Sequence, residues 1–463
     1  MANFINKYAT TAAYSNSDEV AARAALGGNG TVSLDAEKKE VHYDGINIEI
    51  PRKAASVGTC VYADSNGGVH FLAGDTVKSS AIQSGWELAG VVALRKGNKA
   101  LVLHKSENTS IRFTSCWAWE IVGITYDASN TIQFMQNRIK SGTTDTIEAF
   151  NIGSPLTFTP TDIDSAVSSI DTFLKANQGG TSEGAIAAYN WHCEKINGKI
   201  WVISDFTSPD YRQYQGKIVN TSASTTGIDC SLNMWELAGC MHDQTRIVRN
   251  DGYASDYYSI WNKDVVKVKG TNGGSPQDAI GTNGYYNETN FNNSTVLKAY
   301  YGTYDNYLEA MLARYPEGNN AMGEYARRGA EISSIANSVM YTKLDGSTTA
   351  YMFTAIHYTK TLKAHSTASV EGMNEGDWYM PGIDEIVAIF SQMKVDGSDA
   401  IHTAFANAGL TSVYPINPSS NVNRWVPARN GYRNPWLLYT AGSIGSSHFS
   451  YGSRAVGVSL LEL

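Results

Sequence analysis

The sequence predicts a multidomain protein of the mainly β or α+β class, and three observations carry that prediction. Charged residues make up only 17% of the 463 positions, while 27 Tyr, 10 Trp and 42 Gly fit glycine-turned, aromatic-rich strands better than a helical bundle. Short apolar runs bounded by turn residues recur through the first two-thirds of the chain. Helical periodicity is confined to a few segments, most of them after about residue 300. At 42% hydrophobic residues the chain can bury real cores, and its length allows roughly two to four domains of about 100–200 residues.

The order of elements follows from local signals. "DEVAARAAL" (18–26) reads as a short helix capped by Asp18 and ended by Gly27-Gly28. Val32-Ser33-Leu34 and Val41-His42-Tyr43 flank a polar turn and read as a hairpin. "INIEI" then alternates Ile46, Ile48 and Ile50 on one face, and Pro51 closes this opening unit. Residues 1–50 hold too little apolar mass for an independent core and are expected to dock on something larger.

Residues 51–157 form a first β-rich module, with the runs "VHFLAG", "WELAGVVAL", "KALVLH", "IRFTSCWAWEIVGITY" and "TIQFMQ" and a hairpin turn at Lys96-Gly97-Asn98. Residues 158–295 form a second β-rich module. It starts with one amphipathic helix in which Ile163, Val167, Ile170 and Leu174 repeat, Thr161 or Asp162 is the cap and Gly179 the stop. A hairpin about Asn197-Gly198 follows, and the Gly/Asn/Ser/Thr-rich stretch 268–295 is a long loop or linker. "GWELAG" (85–90) recurs as "MWELAG" (234–239) and more weakly as "AWEIVG" (118–123). Either the β-module is duplicated, with Trp86, Trp119 and Trp235 equivalent, or an aromatic-rich chain repeats letters by chance.

Composition also bounds function. A net charge of −8 gives no basic footprint for nucleic acid. No apolar stretch approaches the ~18 residues that span a bilayer. The opening lacks the basic and apolar regions of a signal peptide, so the chain is expected to be made in the cytoplasm. Cys60, Cys116, Cys193, Cys230 and Cys240 show no zinc spacing and read as buried free thiols.

No catalytic motif stands out. There is no Walker loop, no H-E-x-x-H and no G-x-G-x-x-G opening a helix. His448-Phe449-Ser450-Tyr451-Gly452 approximates a nucleophile elbow with His in place of its first glycine. Asp384-Glu385 sit in the first turn of an expected helix, where the macrodipole favours carboxylates. The expectation is a protein with no catalytic residues, no metal and no cofactor.

The last third carries an ordered series of motifs. Leu308, Met311, Leu312 and Tyr315 line one helical piece, and Ala321, Tyr325 and Ala326 another. Trp378-Tyr379-Met380-Pro381 runs into a helix with the stripe Ile383, Ile386, Val387 and Phe390. Trp425, Pro435-Trp436, Gly442 and Arg454-Ala455-Val456 follow. This order, over about 296–463, resembles the C-type-lectin-like domains of phage fibre proteins, of retroelement-diversified variable proteins and of gut Bacteroidales surface proteins. Trp425 is followed by Val-Pro-Ala where the family has small polar residues, and Ala455 stands in place of its usual proline. The calcium-binding sugar signature of true C-type lectins is missing, so the resemblance implies the fold without calcium-dependent sugar binding. The opening fifty residues are similar to the amino-terminal stretches of virion proteins of Bacteroidales-infecting phages, crAss-like phages among them.

The resemblance gives the tail a role. Residues 423–463 hold two Trp, three Tyr and four Arg but a single acid, Glu462. In such a fold Trp425, Trp436, Val456 and Val458 would face the core. Arg429, Asn430, Tyr432, Arg433, Asn434, Tyr439, His448 and Tyr451 would form a ligand-binding face, because Tyr and Arg dominate binding hot spots; the same residues also fit a solvated face or a subunit contact. The expected protein is a virion fibre or appendage, carried over as a homotrimer. Its amino-terminal element (1–50) would meet other virion proteins and its head (296–463) a host-surface glycan or protein, with no nucleic acid and no membrane insertion. The alternatives are a capsid-decorating head fibre without a receptor and a bacterial cell-surface adhesin. A formylglycine-generating enzyme shares the fold but needs a cysteine pair that the tail lacks.

Overall fold

The last strand of the chain lies in the middle of its largest sheet. The computed structural model describes residues 31–35, 40–44, 47, 49–139, 147–151, 154–177, 191–205, 214–220, 237, 256–258, 267–269, 302–306, 329–343, 346, 348–382, 385–386, 389, 392–393, 397–411, 414, 423–430, 434–439, 444–446 and 452–463. Strand outweighs helix, at 36% against 24%, as the composition predicts. The helical pieces expected at 18–26, 308–315 and 321–326 lie outside the described residues, as do Cys230 and Cys240.

In chain order, β1 (Thr31–Asp35) and β2 (Glu40–Asp44) form the expected hairpin, with Val32 opposite Tyr43 and Leu34 opposite Val41. Four antiparallel strands follow, β3 (Cys60–Ala63), β4 (Val69–Leu72), β5 (Glu87–Lys96) and β6 (Lys99–Arg112), with β3 paired to both β4 and β5. Gly90 permits the closest approach between β5 and β6, because a Cβ there would lie 2.0 Å from the Leu103 carbonyl oxygen. β7 (Cys116–Ile121), β8 (Asn130–Ile139), β9 (Ile147–Asn151) and β10 (Leu156–Phe158) lead into helix α1 (Ile163–Ala176). Asp162 caps α1 in a reciprocal box with Ser165, and Ala166, Ile170 and Leu174 are its buried face. The helix ends at Asn177, whose N–H reaches Phe173 and Leu174.

β11 (Trp191–Ile196) and β12 (Lys199–Asp205) meet through Asn197 and Gly198, both at positive φ (51° and 73°), the backbone of a two-residue hairpin turn. β12 also pairs with β7, so this hairpin completes a three-stranded sheet. β13 (Tyr214–Asn220) adds to β8, and β14 (Asp256–Tyr258) pairs with β15 (Lys267–Lys269). Helix α2 (Gly329–Asn337), the hairpin β16 (Met340–Thr342) and β17 (Thr349–Tyr351), and helices α3 (Thr354–Lys360) and α4 (Ala400–Asn407) come next. The chain closes with β18 (Asn423–Asn430), β19 (Asn434–Tyr439), β20 (Ile444–Ser446) and β21 (Gly452–Glu462).

The main sheet has eight strands in the order β20-β19-β18-β21-β6-β5-β3-β4. β21 runs antiparallel along β6 from Gly452 opposite Arg112 to Glu462 opposite Lys99. Segments 51–157 and 296–463, expected as separate units, each supply four strands of this sheet. Both faces of its centre are buried. Leu101 and Leu103 pack with Ile386, Ile389, Met393, Ile401 and Phe405, and Ala100 and Val102 pack with Leu362, Val370, Met373 and Trp378 on the opposite side. Burial on both sides explains why "KALVLH" is apolar without alternation. A further core joins β7, β11, β12 and α1 to α2, Phe353, Met380 and Trp425.

The repeated "WELAG" letters do not share a conformation. Leu88 lies in β5, whereas its counterpart Leu237 is helical and buried. Trp86 precedes a strand, while Trp119 lies within one. The rest of the 234–239 copy is outside the described residues.

Candidate binding surface

The tail hairpin is built from its base upward. Arg424 in β18 and Arg454 in β21 are paired neighbours on parallel strands. Two guanidinium groups side by side repel, and Glu107 of β6 resolves this. Its carboxylate takes Arg424 Nε on one oxygen and Arg454 Nη1 on the other, each at 2.6 Å. Arg424 and Glu107 are 1% and 3% exposed and Arg454 21%, so the trio reaches water only through Arg454. The Arg424 guanidinium also stands 5.9 Å from the Tyr414 ring centroid. Burial pulls Arg424 below its ordinary range, and the Glu107 charge opposes that pull.

Trp425 adds an apolar lock beside this ionic one. Its ring is fully buried, lies edge-on to Phe113 at 5.5 Å and donates its indole N–H to the Ile111 carbonyl at 2.8 Å. Val456 and Val458 are buried with the core under β21. Beyond this base, β18 leaves β21. The same edge of β21 is taken at Val458 by Tyr379, which exchanges two backbone hydrogen bonds of 2.9 and 3.0 Å with it. The stretch after Tyr379 is fixed by Glu385, which accepts from the Gly382 N–H and the Tyr379 hydroxyl at 2.8 and 2.9 Å. Glu385 therefore caps its helix from within the first turn. Asp384 lies outside the described residues.

Past Val426 the ladder between β18 and β19 shifts register, then closes with Arg429 opposite Pro435 and Asn430 opposite Asn434. Arg429, Asn430 and Asn434 thus meet at the hairpin tip. Tyr439 does not join them: it pairs with Asn423 at the other end of β19, ~17 Å away at the usual rise per strand residue. Tyr432, Arg433, His448 and Tyr451 lie outside the described residues.

The opposite edge of the sheet carries a second polar cluster, which the sequence reading did not single out. Glu49 bridges to Leu72 and the Ile50 N–H reaches the Phe71 carbonyl, so the end of "INIEI" lies along β4. There His70 stands between two carboxylates, Nδ1 to Glu49 at 2.8 Å and Nε2 to Asp64 at 2.9 Å. Its ring stacks on Trp86 with centroids 3.6 Å apart. Asp64 is held down to about 2 by its bonds to His70 and to the Gly68 and Asn66 amides. Residues 49, 64, 70 and 86 follow no recognisable spacing, so no local signal announced this group.

The remaining polar candidates hold structure. His104 accepts from the Ser106 N–H, and His365 accepts from the Thr367 and Ala368 N–H groups. Cys60, Cys116 and Cys193 are buried free thiols, and burial pushes Cys60 up to about 12 and Cys193 upward as well. Such thiols are poor nucleophiles. Among the described residues, no group of three His, Cys, Asp or Glu side chains could hold a metal ion. No family model, curated protein or solved structure matches the chain.

Proposed function

We propose that the chain is a non-enzymatic phage virion protein, a fibre or appendage, that presents its β18–β19 hairpin tip to a host-surface glycan or protein. One observation carries this reading. The hairpin is locked at its base by Glu107, Arg424, Arg454 and Trp425, while its tip departs from the strand that anchors it. A rigid base under a tip bearing Arg and Asn keeps the ordering cost of binding low. The motif series from Trp378 to Val456 supports a C-type-lectin-like head, and the shared sheet extends that head to include β3–β6. Residues 1–50 would attach to the virion, with trimers as the assembled form.

The test is attachment of labelled full-length protein to Bacteroidales cells and to immobilised surface glycans. Replacing Arg429, Tyr432 and Arg433 together by alanine should lower attachment more than tenfold, since two or three hot spots carry above ~2 kcal/mol. Tyr439→Ala should lower it far less. Equal attachment by the triple variant and the parent would overturn the tip as the contact face and favour the decorating-fibre reading.

A further inference from the structure

His402 has an acceptor facing each of its ring nitrogens. It lies in the first turn of α4, where Asp399 caps the helix by accepting the Ile401 and His402 N–H groups at 3.0 and 2.9 Å. The other Asp399 oxygen is 2.5 Å from His402 Nδ1, and the Tyr414 carbonyl oxygen is 3.0 Å from Nε2. A carboxylate and a carbonyl have no proton to give. Neutral imidazole has one N–H and satisfies one of them; the imidazolium satisfies both. His104 and His365 differ, because each accepts a backbone N–H at Nδ1 and is complete when neutral. His70 repeats the two-acceptor arrangement at the far edge of the sheet.

Tyr414 is the residue that makes this consequential. It is fully buried with φ of 54°, a left-handed conformation that a bulky residue holds only when its surroundings impose it. Its hydroxyl donates to the His104 carbonyl of β6, and its ring packs by the Arg424 guanidinium at the hairpin base. His402 grips the backbone of that same residue.

We propose that His402 is a pH-sensitive keystone, which as the imidazolium pins Tyr414 beneath the base of the tail hairpin and on deprotonation releases it. The charged groups facing the ring are Asp399 from its own helix and Arg424 from β18, with Glu107 and Arg454 behind Arg424. Burial works against the charged ring. The hydrogen bond and charge of Asp399 and the Tyr414 carbonyl outweigh it, the Arg424 charge opposes them more weakly, and the ring is raised above its ordinary value. With the folded value above the unfolded one, the hold is complete below about 6.5 and is lost as pH rises through the folded value. Inside that window the folded-to-unfolded ratio falls by up to about tenfold per pH unit.

The experiment follows the histidine rings of the full-length protein by NMR from pH 5 to 9, with selective labelling and His402→Gln to assign the ring. The His402 ring should carry protons on both nitrogens at pH 6 and titrate above 6.5. Amide exchange at Arg424 and Trp425, corrected for its intrinsic pH dependence, should accelerate through the same window in the parent and show no such step in His402→Gln. If the variant fails to fold, through-bond correlations in the parent assign the ring and the parent's exchange profile decides. A midpoint at or below 6.5, or exchange protection that ignores the titration, overturns the proposal.

Discussion

Replacing Glu107 by alanine should be among the most damaging single changes in the chain, and the cost can be worked from the geometry. The carboxylate pairs with two guanidinium groups at 2.6 Å each, and Arg424 is 1% exposed. Without it, Arg424 loses the carboxylate that faces its charge inside the core, while Arg454, at 21% exposed, can turn to water. Leaving one partner of a buried pair uncompensated costs ~3–5 kcal/mol. Glu107→Gln should cost less, since its amide oxygen still accepts from one arginine. The double variant Glu107→Leu/Arg424→Met should recover most of the loss, because an apolar pair of similar volume is often neutral. Urea unfolding, with hydrogen exchange at β6, β18 and β21 to localise the effect, reads all three. A loss below ~1 kcal/mol for Glu107→Ala would mean the trio behaves as a solvated surface pair, and the locked hairpin base would fall with it.

Three further outcomes are expected. Trp425→Ala should cost ~3–5 kcal/mol in thermal or urea unfolding, as for other buried tryptophans, whereas Arg429→Ala at the tip should stay within ~0.5 kcal/mol; similar costs would place the tip in the core. Gly90→Ala should destabilise by more than ~2 kcal/mol, because its Cβ would meet the Leu103 carbonyl at 2.0 Å and force β5 from β6; unchanged unfolding would contradict that contact. A chain beginning at Asn47, which keeps the Glu49–His70 bond, should be monomeric by light scattering while the full-length protein is oligomeric; the same number of protomers in both would remove residues 1–46 from assembly.

What the sequence made legible was local. Asn197-Gly198 supplies the two positive-φ residues of a hairpin turn, and Asp162 with Ser165 closes a box three residues apart, so each announces itself within a short window. Ile386 is readable as core from its helical stripe, whereas the resemblance, and no pattern of their own, implied a core place for Trp425, Val456 and Val458, which are buried. The interleaving of 51–112 with the tail was not legible, because β6 finds β21 only after the rest of the chain has intervened. Glu107 and Arg424 are 317 residues apart, and no spacing rule spans that distance. His402 and Tyr414 are close in sequence, but only the left-handed turn at Tyr414 brings its carbonyl to the ring. The candidate face divided for a related reason: Arg429, Asn430, Asn434 and Tyr439 are neighbours as letters, yet a strand of six residues carries Tyr439 away from the tip.

The edges of the main sheet constrain how copies could associate. Long, flat edges invite strand addition, and short or covered ones discourage it. At one edge β20 has three residues, and at the other β4 has four, part of whose free side is already taken by Glu49 and Ile50. Charge adds to this, since His70, Glu49 and Asp64 cluster on that second edge. An oligomer joined through the main sheet would have to displace that cluster or rely on three residues of β20. Elements outside the sheet carry no such penalty, and the two-stranded ladders β1–β2, β14–β15 and β16–β17 are each marginal without support. In the proposed assembly the β1–β2 hairpin before Asn47 would carry the contact between copies, and the tip of β18–β19 would stay free of it.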